Sequence, residues 1–367
     1  MKKLALISCF LLVFYLSACG GEDTSTQTES EEPAEENTPE ESEPETSELD
    51  NAENEESLED DESKEPEYAY TEPLTGEGTN TISPYRPMAV MVNNHPLARP
   101  QTGLSDADIV YEVLTEGNTT RFLAIFQSEQ PDEIGPVRSS RDYFIDLAQG
   151  YDSLYVTHGW SPEAKQMLQA GYAPYLNGLF HDGTLFQRSA KRQAPHNSYI
   201  SFDDAMEGLT SKGYEVEREV SENIFEKDGF SAFTSSQQAD EIDIWYRDKY
   251  VVQFTYNENE NAYERSSDNE ETIDENTGEQ LAVNNVFVVE ASHRVVDDKG
   301  RREINLSSGG EGLLLQNGEA LKVQWENEGG RLLPMKDGKE VPFHPGKTWI
   351  NVVPSSSGID GSVQGID

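Results

Sequence analysis

Cysteine is nearly missing from this chain: of 367 residues, only Cys9 and Cys19 carry a thiol. Two cysteines cannot make a disulfide framework, and they offer too few ligands for a thiolate metal site. Positive charge is also short. Lys and Arg total 27 against 70 Asp and Glu, a formal net charge of −43, so nucleic acid, anionic lipid and polyanionic wall polymers are poor partners for the field of this protein. Beyond the first residues no apolar run is long enough to cross a membrane. Common catalytic signatures are missing as well: the chain has no G-x-S-x-G elbow, P-loop, H-E-x-x-H or S-x-x-K with its companions. The six histidines (His95, His158, His181, His196, His293 and His344) show no metal-ligand spacing among themselves, which leaves only a zinc site assembled from distant segments. No cofactor and no metal is implied.

What is present begins at the N-terminus. Lys2 and Lys3 precede an apolar run from Leu4 to Leu16, followed by Ser17-Ala18-Cys19. That is the layout of a cleaved signal peptide, its apolar part about thirteen residues and too short for a permanent span. Leu-Ser-Ala-Cys matches a lipobox, in which the cysteine becomes the lipidated mature N-terminus. Cleavage before Cys19 removes Cys9, so the expected mature chain has one cysteine, lipidated, and no thiol chemistry. The expected location is the outer face of a cell membrane, held by the lipid. The alternative is an ordinary secretory signal in which Cys19 is incidental.

Glu22 to Glu72 holds 23 acidic residues against a single basic one, Lys64, with much Ser, Thr and Pro. Such a segment cannot bury enough apolar surface to offset its ordering entropy, and it repels itself. It is expected to be a disordered stalk, about 40 Å long as a flexible coil and longer when charged. A second acidic run, Asn257 to Glu279, reads as a long loop; it lacks the regular spacing and glycine of a calcium loop.

The remaining sequence alternates between two characters. Pro87–Val92, Ile109–Leu114, Arg121–Gln127 and Leu154–Thr157 read as strands. Arg141–Ala148 has helical spacing, and Ser161-Pro162 and Ser201 open further helices. After about Phe233 strands dominate, with Gln316-Asn317-Gly318-Glu319 the clearest hairpin. The expected class is α+β: a mixed layered N-terminal domain over 83–232 and a smaller β-rich domain over 240–355, preceded by the signal (1–18) and the lipidated stalk (19–75).

Polar residues cluster where strands end and helices begin, a rim where sites gather in layered folds. The candidate binding rim is Asn94, His95, Arg99, Glu116, Arg121, Arg138, Arg141, His158, His196 and Asn197, with Arg188 and Arg192 nearby. On so acidic a protein, converging Arg and His would make a local positive site for a carboxylate or phosphate. The plainer alternative is that Arg138 and Arg141 pair with Asp142, Asp146 or Glu116 and that His158 and His196 are satisfied by backbone groups.

The stretches Arg86-Pro-Met-Ala-Val-Met-Val-Asn-Asn-His-Pro96, Ala107-Asp-Ile-Val-Tyr-Glu112, Ile134-Gly-Pro-Val-Arg-Ser139, Ala194-Pro-His-Asn197 and Gly346-Lys-Thr-Trp-Ile350 together resemble the YerB family of bacterial lipoproteins, the family of DUF3048 domains. The resemblance covers roughly residues 83 to 355. It implies a two-part α+β fold and a lipid-anchored envelope protein, and it carries over no catalytic residues. Three functional readings follow. The first is a non-catalytic binding or scaffolding module whose partner, besides the membrane, is an envelope polymer or a membrane protein. The second is a hydrolase of an envelope polymer, with His158 or His196 as base, Glu116 or Asp182 beside it and Arg138 stabilising negative charge. A purely structural spacer, the third, would present a broad apolar patch in place of a polar site.

Overall fold

Six consecutive buried residues, Met88–Asn93, form the first strand (β1) of a sheet that runs through most of the molecule. The computed structural model describes residues 68–227, 230, 235–246 and 250–366. The expected signal segment, Cys19 and most of the acidic stalk lie outside the described residues; the last part of the expected stalk is folded, with Tyr70–Thr71 pairing in a short strand and Leu74 and Thr75 fully buried. The chain continues into β2 (Ile109–Leu114), β3 (Thr120–Phe126), helix α1 (Asp142–Gln149), β4 (Leu154–Thr157), α2 (Pro162–Gln169), β5 (Tyr175–Asn177) and α3 (Phe202–Ser211). The strands β6 (Glu241–Trp245), β7 (Val251–Asn257), β8 (Ala262–Ser267), β9 (Asn285–Val295), β10 (Gly310–Gln316), β11 (Glu319–Glu328), β12 (Arg331–Lys336) and β13 (Thr348–Pro354) follow.

Among the described residues the large sheet has 13 strands, in the order Lys339–Glu340, β12, β11, β10, β9, β13, β2, β3, β1, β4, β5, with two short strands off this path. The last long strand, β13, inserts between β9 and β2 and runs parallel to both, with Trp349 opposite Val286 on one side and Val110 on the other. Strands from both expected parts therefore share one hydrogen-bonded sheet. Among the described residues secondary structure is 43% strand and 14% helix, an α+β composition.

Alternate residues of each strand serve opposite faces. Val90, Val110, Phe122, Val286 and Trp349 face one core, with α3 and the second, six-stranded sheet built on β6, β7 and β8. Ala89, Tyr111, Leu123, Phe287 and Ile350 face the other core, with α1 and α2. Both faces are covered, so the central strands read as continuous apolar runs.

Local chemistry fixes the element ends. The Ser161 side chain accepts from Ala164 N at 3.2 Å with Pro162 next in line, and Ser201 accepts from Asp204 N at 3.0 Å. The Asn317-Gly318 turn has positive φ at both positions, 51° and 75°, and closes the hairpin between Gln316 and Glu319, as a type I′ turn requires.

The acidic run over 257–279 is not a long loop, contrary to the expectation. It contains β8, whose Tyr263, Arg265 and Ser267 point inward while Glu264 and Ser266 are half-buried. Asp268 and Asn269, at φ 54° and 64°, then turn the chain into the short strand Glu270–Glu271. Counting charge hid the alternation, because one of the inward residues is an arginine with a buried partner.

Candidate functional site

The site forms where parallel strands end. β1 and β4 run parallel, as do β4 and β5, and their C-terminal ends deliver Asn93, His158 and Asn177, the position where ligands gather in parallel sheets. The segment Arg138–Ser140 lies beside His158–Ser161 in an irregular ladder: His158 N donates to Arg138 O at 3.0 Å, Ser140 N to Gly159 O at 3.0 Å and Ser161 N to Ser140 O at 3.1 Å. Gly159 has φ +99°, and a side chain there would strike Ser139. Only glycine allows these two segments to meet so closely.

Asn93 orients two histidines. Its Oδ1 accepts from His95 N at 3.1 Å, so its Nδ2 faces His196 Nδ1 at 2.9 Å. His196 Nδ1 is therefore an acceptor, and the ring carries its proton on Nε2. The His95 and His196 rings stack with centroids 4.6 Å apart. His158 is fixed in the other tautomer. Arg188 Nη2 lies 3.0 Å from its Nε2, and Ser198 Oγ lies 2.7 Å from its Nδ1. An arginine only donates, so Nε2 accepts and Nδ1–H donates to Ser198. Both rings are held below the usual imidazole range. Burial lowers the His158 pKa, with Arg188 and Arg138 adding to it and Asp182 opposing; burial, His95 and Arg138 lower that of His196. Arg188 is itself gripped by both oxygens of Asp182, at 2.8 and 3.0 Å, and donates to Asn197 Oδ1 at 3.0 Å.

Arg138 differs from its surroundings. Among the described residues its half-buried guanidinium makes no hydrogen bond or ion pair, whereas every other arginine there meets an acceptor. Burial pushes its pKa down to about 10, and the neighbouring Arg121 pushes the same way. A cation held in partial burial beside another cation gains from an anion that approaches it.

The structure thus brings together His95, Arg138, His158, His196 and Asn197, joined by Asn93, Asp182, Arg188 and Ser198. The other expected rim residues are engaged with partners of their own. Glu116 accepts from both Arg121 (2.9 Å) and Arg141, and the two arginines, 5% and 8% exposed, also donate to Ser139 O and Ser140 O. These three form a structural ion-pair group beneath Arg138. Asn94 is buried, donating to Thr120 Oγ1 (2.7 Å), Tyr250 OH (2.8 Å) and Glu112 (3.3 Å) and accepting from Arg99 Nε (3.0 Å). Arg99 with Tyr250 and Asp268 lines a separate small pocket of about 180 Å³. Arg192 pairs with Glu275 at 2.8 Å.

Sequence reading missed Asn93 as the orienting residue and Ser198 as the partner of His158. Asn93-Asn94 follows an apolar strand directly, which signals a polar strand end but not which of the two faces the surface. Among the described residues no group of three or more His, Cys, Asp or Glu is placed to hold a metal ion.

Comparisons with known proteins bear on the family and the fold. Residues 74–215 match the family described as "Protein of unknown function (DUF3048) N-terminal domain", and residues 242–350 match the corresponding C-terminal domain. The chain is 48% identical over 286 residues, 77% of its own length and 86% of the relative's, to a Bacillus subtilis (strain 168) protein named "Putative lipoprotein YerB". It is also similar to the crystal structure of the YerB protein from Bacillus subtilis, with TM-score 0.74 and 45% identity over 80% of this chain and 99% of that one.

Proposed function

This chain belongs to the DUF3048 (YerB) family, and on that footing we propose that it is a lipid-anchored binding protein of the cell envelope whose Arg138 rim receives an anionic group. The lipid anchor is supported by the signal layout ending in Leu-Ser-Ala-Cys19 and by the name of the 48% identical relative. Two acyl chains on Cys19 would give stable attachment, where a single chain binds only reversibly. The expected result for Cys19→Ser is a protein that loses its lipid mass and leaves the membrane fraction; retention of both would refute the anchor.

The observation that carries the binding reading is that the Arg138 guanidinium has no hydrogen-bond or ion-pair partner among the described residues, in a chain with formal charge −43. Arginine offers a carboxylate two parallel N–H donors, and the Nε2–H of His196 is a further neutral donor close by. Calorimetric titration of the full chain with small monocarboxylates and inorganic phosphate tests it. Saturable binding that Arg138→Gln abolishes supports the reading, and equal heats in both proteins sink it.

A second reading, hydrolysis of an envelope polymer, has one observation in its favour: Ser198 Oγ lies 2.7 Å from His158 Nδ1. The hydrogen bond runs the wrong way for activation, because Nδ1 donates. The far nitrogen faces Arg188, where a hydrolase would place a carboxylate to stabilise the imidazolium. Binding without turnover is the reading this geometry favours.

A further inference from the structure

Resting on the reading of Arg138 as an anion receptor, we infer that the anion is a carboxylate carried on a sugar, whose ring lies against Trp160 and Phe180.

Ser140 pairs with Trp160 in the ladder that joins Arg138–Ser140 to His158–Ser161. Trp160 thus follows His158 by two residues across the Gly159 turn, at most roughly 7 Å along the backbone, within the scale of one sugar ring. Gly178 brings the second ring to the same place. A side chain at 178 would collide with the His158 ring, so the backbone there passes directly against the histidine. The chain then presents Leu179 and Phe180, 55% and 62% exposed, among the most exposed large apolar residues described.

Trp160 and Phe180 meet edge-on with centroids 5.7 Å apart, and Lys165 Nζ lies 6.0 Å from the Trp160 ring centre. Arg188, Asp182 and Asn197 stand on the His158 side. Aromatic faces interleaved with hydrogen-bonding groups suit a pyranose, which shows C–H bonds on its faces and hydroxyls around its edge. An acyl chain would lose its advantage against so many polar neighbours. An extended peptide would need a strand edge to pair with, and the adjoining edge strand β5 has only three residues.

Arg121 and Arg141 share the one carboxylate of Glu116, and Arg188 is held by Asp182. His158 and His196 accept hydrogen bonds as neutral rings. Among the described residues Arg138 is the one arginine of this cluster without an acceptor, and a carboxylate offers its guanidinium two parallel oxygens.

The test is a calorimetric titration of the full chain with four probes: lactate, N-acetylglucosamine, N-acetylmuramic acid (the same sugar bearing a lactyl ether) and an acidic dipeptide. N-acetylmuramic acid is expected to bind at least tenfold more tightly than lactate, N-acetylglucosamine or the dipeptide. Phe180→Ala, at an exposed position, should remove that tenfold advantage while leaving lactate binding unchanged, and Arg138→Gln should abolish binding of both acids. If lactate and N-acetylmuramic acid bind equally, with or without Phe180, the sugar assignment is overturned while the anion reading stands. A dipeptide that binds more tightly than the sugar acid overturns it in favour of a peptide ligand. If no acid binds and Arg138→Gln changes nothing, both readings fall.

Discussion

Glu112 and Arg265, 153 residues apart in sequence, form an ion pair at 2.9 Å with side-chain exposures of 0% and 1%. Glu112 sits in β2, and Arg265 reaches it from β8 on the smaller sheet. The pair joins the segments matched by the N-terminal and C-terminal family descriptions. The second oxygen of Glu112 accepts from Thr120 Oγ1 at 2.8 Å and Tyr250 OH at 2.9 Å, and Trp349 Nε1 lies 3.2 Å from the first. The Arg265 guanidinium stacks over Trp349 at 4.6 Å and Phe122 at 5.4 Å. Burial opposes its charge, but Glu112 and the hydrogen bonds outweigh burial and raise its pKa.

Removing either partner leaves an uncompensated buried charge, so Arg265→Met or Glu112→Gln should each destabilise the fold by about 3–5 kcal/mol. The double variant should be less destabilised than the sum of the two, because no lone charge remains. Urea unfolding of the four proteins measures this. Strict additivity would show that the pair is not coupled.

Asp108 gives a pH dependence of known sign. Its carboxylate is fully buried, accepting from Gln127 N at 2.6 Å, Ser128 N at 3.2 Å and the Ser128 hydroxyl. Burial pushes its pKa up from 3.8 to about 6 despite these bonds. Between about pH 4 and 6 the folded chain keeps a proton that the unfolded chain has released. The contribution of Asp108 is therefore full below pH 4 and lost as pH rises to 6, on the order of 3 kcal/mol in total. The stability difference between wild type and Asp108→Asn should shift in favour of the variant by that order between pH 4 and pH 7. A pH-independent difference would refute the raised pKa.

These two buried carboxylates mark where sequence reading reached its limit. The strands Ile109–Leu114 and Leu154–Thr157 were legible because both faces of a central strand are apolar, and the Asn317-Gly318 turn because its backbone demands those residues. Glu112 looked like one polar interruption in an apolar run, and nothing local names Arg265 as its partner. For the same reason the Ala262–Ser267 strand was hidden inside an acidic stretch. At the site, His95, Arg138, His158, His196 and Asn197 were legible as polar residues at strand ends and helix starts. That Arg121, Arg141 and Asn94 turn inward depends on tertiary partners such as Glu116 and Thr120, which sequence spacing does not reveal.

His158 supplies a test of the electrostatics around the rim. Burial is the largest cause of its lowered pKa and Arg188 the next, so Arg188→Ala should raise it part of the way towards 6.5. The stability linked to this ring is present above the unfolded pKa and falls as pH drops below it. NMR titration of the ring nitrogens reads both the pKa and the tautomer. A proton on Nε2 in place of Nδ1 would contradict the donor assignment and restore the hydrolase reading.

The central claim is that Arg138 waits for an anion, and the Nε–Hε resonance of its side chain reports this directly. In full-length protein carrying ¹⁵N-labelled arginine, titration with acetate should move the Arg138 signal along a saturating curve and slow its exchange with water. The signals of Arg121 and Arg265, already paired with Glu116 and Glu112, should stay in place. If Arg138 is unmoved at saturating acetate, or if all the arginine signals drift together with ionic strength, the guanidinium is not a receptor and the account fails.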